Sequence, residues 1–479
     1  GFTILVLVSV GVLTQNRSFA EEGIIYQIVA WTFVLFFAPM AVLGTISPQV
    51  IRLAVPDVAH AGRVAGRVYA WSTGGAIAGT FATGYVLISA LGTDRTVIAV
   101  AAALGALSMT VAPIWRDNTM LYMLSILFGG VTGGVILKWN PNSSDPAVVA
   151  MQDSNYYRIK VSRELVQEEP EKYLYNLYLD HLLHSTVDVD DPLFIYYKHE
   201  EIQIEFLRLA RAHAASPKVL LIGGGGYTLP RAAKVLLPST QMDVVEIDPG
   251  VTKMAYAELG LKKEYGLNDV NMDGRQFVAE VARPGSYDLV VQDAVNDLSV
   301  PSHLMTKEYN DAVKRALKPD GVFLLTIIDS VEYGKVWRAS IVTLRQTFSH
   351  VHLLASSAPP PAERPAGAKE AEEWDSRVAN WATSRQVYVI YASDKPLDLD
   401  ALKRATDGAG PPPPPVWPDV RTAVLGPAAV IFPPVPFYTR LVPPTLLEPF
   451  LTREPGVILT DQYAPIDNLM AEVFRRRNQ

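Results

Sequence analysis

Residues 218–249 read KVLLIGGGGYTLPRAAKVLLPSTQMDVVEIDP, an order that predicts strand, glycine turn, helix, strand and a terminal acid. Val219, Leu220, Leu221 and Ile222 form a short apolar run suited to a strand buried on both faces. Gly223, Gly224, Gly225 and Gly226 let the backbone turn tightly and approach a ligand with no Cβ in the way. Pro230 falls where the first turn of a helix tolerates proline. The second strand, over residues 243–248, presents Glu246 where nucleotide-binding βαβ units hold ribose hydroxyls. A glycine turn alone also occurs in ordinary strand–helix connections; the full order of elements favours a nucleotide site.

The alternation continues downstream. Helices are predicted over residues 251–259, 276–282 and 306–317, with a strand end and turn at 270–275 and strands at 287–293 and 321–328. Such alternation implies a mostly parallel, doubly wound sheet. Residues 350–355 and 386–392 are expected to pair as a closing antiparallel edge, with 356–384 as a surface excursion. Upstream, residues 147–151, 157–161 and 173–179 predict a small antiparallel sheet, followed by a helix over 199–215. The tail from residue 396 holds the proline run 411–415, a stiff spacer, and regains order near 457–467 before a short helix.

The first 139 residues differ. Apolar stretches at 2–13, 23–46, 68–91, 96–115 and 119–137 predict four full membrane spans and a partial first one. Buried helices of a large protein are the alternative. Gly75 and Gly79 give a small-xxx-small spacing for close helix approach. The chain starts at Gly1 inside an apolar run, so residues are expected upstream. The expected organisation is thus an α-helical membrane domain (1–139), a small β-hairpin domain (140–205), a Rossmann-like, methyltransferase-type α/β domain (206–395) and a proline-rich tail with an ordered end (396–479). No intramembrane charge marks a transport path, which points to anchoring in lipid or self-association into a homo-oligomer.

Composition removes several function classes. The chain has 479 residues and a net charge of −7. Residues 1–139 carry seven Lys/Arg against five Asp/Glu, a net +2 that leaves −9 for the rest. No basic patch suggests nucleic acid. With no cysteine, disulfides, thiolate metal sites and cysteine nucleophiles are excluded.

Ligands of open parallel sheets bind beyond the carboxyl ends of the strands. The glycine turn, Glu246, Asp273 and Asp293 all fall there. Glu246 can accept from two ribose hydroxyls, Asp273 from an adenine amine, and Asp293 lies near a reacting group, with Asp297 four residues on. Any one of these aspartates also suits a helix N-cap or a turn.

The order IGGGG…VVEIDP…DGRQFV…YDLVVQDA…LKPDGVF resembles the spermidine synthase (polyamine aminopropyltransferase) family. Ser154 to Ile159 and Leu177 to Asp180 are similar to that family's N-terminal hairpins, and Tyr197 to Glu200 to its Tyr-His-Glu stretch with one extra residue. Segments 300–308 and 459–465 resemble a bacterial subgroup in which this domain is fused behind membrane helices. The resemblance implies transfer of an aminopropyl group from decarboxylated S-adenosylmethionine to a polyamine or related amine, with release of methylthioadenosine and no metal. It implies a nucleoside site of Gly223, Gly224, Gly225, Gly226, Glu246 and Asp273, a catalytic Asp293, and substrate contacts from Asp180, Tyr197, Glu200 and Asp297. Gly226 stands where the family carries an aspartate that grips the donor's amine, so ordinary S-adenosylmethionine is the alternative co-substrate. A methyltransferase, and a non-catalytic membrane protein that binds polyamine or nucleoside, are the competing functions. The expected location is the bacterial inner membrane with the α/β domain cytoplasmic. Arg52, Arg63 and Arg67 oppose this, since a cytoplasmic loop there followed by three spans would put the α/β domain outside.

Overall fold

The computed structural model describes residues 29, 32–33, 37–111, 145–168, 171–295, 300–408 and 437–475. The chain divides into two compact units, Gly1–Pro146 with Gln152–Tyr157, and Ala147–Met151 with Arg158–Gln479.

The first unit is helical. Helix α1 (Ala61–Ala82) runs into a π turn (Thr83–Leu87) and a last short helical stretch that Gly92 stops at φ 79°, and α2 (Thr93–Val111) follows. Among the described residues no helix is long and apolar enough to cross a membrane. That overturns the expected α-helical membrane domain and the inner-membrane location. The cause is visible in the stretch 68–91: glycine, serine and threonine dilute its apolar surface, α1 starts seven residues earlier and takes in Arg63 and Arg67, and the α-helix is broken at Thr83. Such residues read as uncharged in a composition window but contribute little transfer energy to lipid. The expected spans 2–13 and 119–137, and most of 23–46, lie outside the described residues.

Next in the chain come strands β1 (Val148–Asp153), β2 (Arg158–Glu168), β3 (Glu171–Leu179) and β4 (Leu182–Val187), a four-stranded sheet in the order β1-β2-β3-β4. Helix α3 (Lys198–His213) leads to the main sheet. Its strands are β5 (Lys218–Ile222), β6 (Gln241–Glu246), β7 (Asn268–Asn271), β8 (Tyr287–Gln292), β9 (Leu317–Asp329), β10 (His350–Ala355), β11 (Gln386–Ser393) and β12 (Arg440–Leu441). Their spatial order is β12-β10-β11-β9-β8-β5-β6-β7. β5 to β9 are parallel; β11 inserts antiparallel between β9 and β10. This is the Rossmann-like, methyltransferase-type α/β arrangement. The 350–355 and 386–392 segments do pair antiparallel, but β11 is interior rather than an edge.

Burial explains the order. Leu220, Ile222, Val245, Val290, Phe323, Leu325, Tyr388 and Ile390 form one core and are at most 2% exposed. Each such side chain contributes roughly 1.5–3 kcal/mol by leaving water. The helix α4 (Thr228–Leu236) follows the glycine turn, and α5 (Pro249–Glu258) starts with Pro249 at its first position and the Asp248 carboxylate accepting from Gly250 N–H at 2.7 Å. The excursion 356–384 folds mostly into helix α6 (Ala368–Thr383), which buries Ala371, Trp381 and Ala382.

Candidate functional site

The register brings the strand ends level. Ile222 stands beside Val245 and Gln292, Glu246 beside Asn271, and Gln292 beside Leu325. One step further along the chain, Gly223, Met272-Asp273, Asp293 and Thr326 therefore share one rim of the sheet with Glu246.

At Gly223 the backbone needs both freedoms that glycine offers. Its φ is +100°, and a Cβ there would lie 2.3 Å from the Asp293 carbonyl oxygen. Glu246 is 7% exposed, and its carboxylate accepts from Gly224 N–H at 2.7 Å, Gly225 N–H at 3.4 Å and Asp248 N–H at 3.0 Å. Burial pushes this carboxyl up, against the pull of those three backbone donors. Gly226 donates its N–H to Ser185 Oγ at 2.9 Å, and a Cβ at 226 would meet Ser185 Cβ at 2.5 Å. No side chain fits at 226 unless β4 moves. Tyr227, in the left-handed region at φ +56°, turns inward and is fully buried, its hydroxyl 3.1 Å from Thr252 Oγ1.

Asp273 caps a helical turn by accepting from Gln276 N–H at 3.0 Å, and its second oxygen lies 2.8 Å from His303 Nε2. The His303 hydrogen bond holds the Asp273 carboxyl below the usual carboxylate range against its partial burial. Next to it Arg275 is a junction. It donates to the His303 carbonyl at 2.9 Å and to Thr306 Oγ1 at 3.1 Å, and makes a two-pronged pair with Asp461 of the C-terminal segment.

Asp293 is held by side chains from α3. His199 Nε2 and Gln203 Nε2 each lie 3.1 Å from Asp293 Oδ2. Gln203 is fully buried and also donates to Thr326 Oγ1 at 2.9 Å. Burial works against the Asp293 charge, but His199 and Gln203 outweigh it and leave the carboxyl below its ordinary value. For His199 burial disfavours the imidazolium, and Asp293 reverses that, raising it above its ordinary value. Glu200, 7% exposed, accepts from Thr228 Oγ1, while its other oxygen is buried without a hydrogen-bond partner. Its burial pushes the carboxyl up to about 7. Tyr197 sits one residue before α3, its ring 5.6 Å from that of His199, and burial raises its hydroxyl to about 12.

The structure thus brings Gly223–Gly226, Glu246, Asp273 and Asp293 to one rim, with Glu200 and Tyr197 on the start of α3 beside His199. Asp180 lies in the small sheet. It is the left-handed turn residue between β3 and β4, at φ 54°, and it accepts from Arg158 N–H at 2.9 Å. Asp297 lies outside the described residues. His199, Gln203, Thr326, Ser185 and His303 were not foreseen from the sequence; His199 adjoins Glu200 in the quoted Tyr-His-Glu stretch, the one signal that pointed to it. Among the described residues no group of three or more His, Asp or Glu side chains is arranged to hold a metal ion.

Residues 209–362 match the family model described as the spermine/spermidine synthase domain. A polyamine aminopropyltransferase from Vibrio vulnificus is 29% identical over 173 residues, covering 35% of this chain and 55% of that protein. Another, from Chromobacterium violaceum, is 31% identical over 144 residues, covering 30% of this chain and 53% of its own. The chain thus spans about half the length of these relatives. The solved structure of a probable spermidine synthase from Corynebacterium glutamicum covers 55% of this chain and 88% of its own, at 16% identity and a TM-score of 0.43. Over residues 209–362 the α/β part of this chain is thus similar to the spermine/spermidine synthase domain.

Proposed function

We propose that this chain transfers an aminopropyl group from decarboxylated S-adenosylmethionine to a polyamine or related amine and releases methylthioadenosine. Glu246 holds the ribose, with the glycine turn against the nucleoside, and Asp273 meets the adenine. Asp293 fixes the acceptor's ammonium one strand over and provides the exit for its proton. Glu200, beside His199 on α3, adds a second acid suited to a cation, with Tyr197, Asp180 and Asp297 as further candidate contacts. The sulfonium carries its own activation: the nitrogen lone pair forms the N–C bond while the C–S pair returns to sulfur, so the chemistry needs deprotonation and alignment.

The observation that carries the reading is the contact between Gly223 and the Asp293 backbone, which sets the nucleoside turn and an anchored carboxylate side by side. Methyl transfer from ordinary S-adenosylmethionine is the less favoured second reading. It draws on the absence of any side chain at Gly226, where Ser185 closes the space. The test is calorimetry with decarboxylated and ordinary S-adenosylmethionine, followed by product analysis with putrescine. Methylthioadenosine formation that depends on Asp293 is expected. Tight binding of ordinary S-adenosylmethionine with none of the decarboxylated form overturns the proposal.

A further inference from the structure

Helix α3 is held on two opposite faces. On one, His199 and Gln203 reach Asp293, and Gln203 also reaches Thr326 of β9. On the other, roughly 200° round the helix from Gln203 at 3.6 residues per turn, the Glu205 carboxylate accepts from two backbone N–H groups of the C-terminal segment. These belong to Tyr438 and to Thr439, the latter at 3.0 Å, and lie 233 and 234 residues away in the chain. Lys198, the first residue of α3, stands with its Nζ 4.8 Å from the centre of the Tyr438 ring. The two donors are themselves anchored. Arg440 and Leu441 pair as β12 with Ala355 and Leu354 of β10, and Val442 N–H donates to the Leu353 carbonyl at 2.9 Å. Residues 438–442 therefore tie α3 to the edge of the main sheet. Glu205 and these five residues all lie outside residues 209–362, which match the family model.

We propose that Glu205 is a positioning residue: bonded to the backbone of Tyr438 and Thr439, it seats α3 so that His199 and Gln203 hold the Asp293 carboxylate in place. This rests on the reading of Asp293 as the group that fixes the acceptor amine. Glu205 is 2% exposed, and a carboxylate so deeply buried must be met by donors. Burial pushes its carboxyl up, against the pull of the Thr439 and Tyr438 donors. Arg208 also favours the charged form, but it belongs to the same helix and moves with it, so it cannot fix α3 against the sheet. The backbone of 438–439 can, because β12 fixes it to β10. Gln203 and Glu205 are two residues apart on one helix, a rise of about 3 Å, so a shift at Glu205 is carried to Gln203. Gln203 has little room to absorb it. The side chain is fully buried, and its amide nitrogen serves both Asp293 Oδ2 at 3.1 Å and Thr326 Oγ1 at 2.9 Å. A shift of about 1 Å takes such contacts out of hydrogen-bonding range, and a misplacement of that size can cost about 100-fold in rate.

Two variants break the contact from opposite sides. Glu205→Gln turns an NH2 group towards one of the backbone donors, and Thr439→Pro removes a donor without touching α3. Each should lower kcat with putrescine about tenfold or more and leave the Kd of methylthioadenosine, measured by calorimetry, unchanged. A merely structural role is separated by adding Gln203→Ala. If Glu205 acts through Gln203, Glu205→Gln should cost almost no further kcat in the Gln203→Ala background. Losses that multiply overturn the proposal. So does a Glu205→Gln variant with the wild-type kcat, or one whose nucleoside affinity falls as far as its kcat. Amide hydrogen exchange gives a readout that needs no turnover. In both variants α3 should exchange about tenfold faster or more, with β5 and the glycine turn unchanged. Unchanged protection of α3 overturns the proposal whether or not the protein turns over. Wild type that forms no methylthioadenosine with putrescine, while α3 loosens as expected, overturns the proposed function and the assignment of Glu205 to that reaction, but not the seating of α3.

Discussion

Two carboxylates on the same rim are held in opposite ways. Glu246 is gripped by three backbone N–H groups within its own βαβ unit, none further than 22 residues away in the chain. Asp293 is gripped by side chains of α3, 90 and 94 residues distant. Backbone donors are fixed once the strands and the turn form, so the setting of Glu246, the proposed ribose side, is a property of the fold. Side-chain donors can be exchanged without disturbing the sheet, so the chemical side is open to change. The difference teaches where selectivity in this site is set.

The largest expected effect separates the two directly. Asp293→Asn should lower kcat by ~10²–10⁴ while methylthioadenosine binding and melting temperature change little. An equal loss of nucleoside affinity, measured by calorimetry, would show that the two carboxylates are not independent. Next comes Glu200, which is held by a single hydroxyl and is neither kind. Its folded-state carboxyl stands near 7 against an ordinary 4.5, so the unfolded chain ionises first as pH rises. Stability should therefore fall between about pH 4.5 and 7, by roughly 3 kcal/mol at most. Glu200→Gln should remove that fall, as read from chemical denaturation at pH 5 and pH 8; parallel curves for the two proteins would contradict it.

Glu246→Gln should weaken methylthioadenosine binding by about 2 kcal/mol, because an amide cannot accept from Gly224 and Asp248 with both of its ends. Unchanged binding by calorimetry would mean that the ribose side is not set by these N–H groups. The smallest effect belongs to the Arg275–Asp461 pair. Asp461 is 41% exposed, so Asp461→Asn should cost less than about 1 kcal/mol by thermal melting and leave kcat intact.

The same contrast explains what was legible in the sequence. The glycine turn, Glu246, Asp273 and Asp293 could be read because strand ends and turn residues announce themselves locally. β4 was missed, since Leu182–Val187 is short and follows directly on a turn made by Asp180. His199 and Gln203 could not be placed, because only the folded α3 brings them over Asp293. Arg275 and Asp461 are 186 residues apart and meet only in the folded chain. The membrane reading failed for a different reason. Uncharged glycine, serine and threonine satisfied the composition without supplying the continuous apolar helix that a bilayer requires.

Gly223 has a consequence beyond the local turn. With its missing Cβ 2.3 Å from the Asp293 carbonyl, it works as a spacer of fixed length between two neighbouring strands. Any drift of the β5 turn is passed on to the backbone that carries Asp293, so the two cannot diverge separately in related chains. Variation in what this scaffold accepts is therefore channelled to α3 and to β4, whose His199, Gln203 and Ser185 side chains meet the rim.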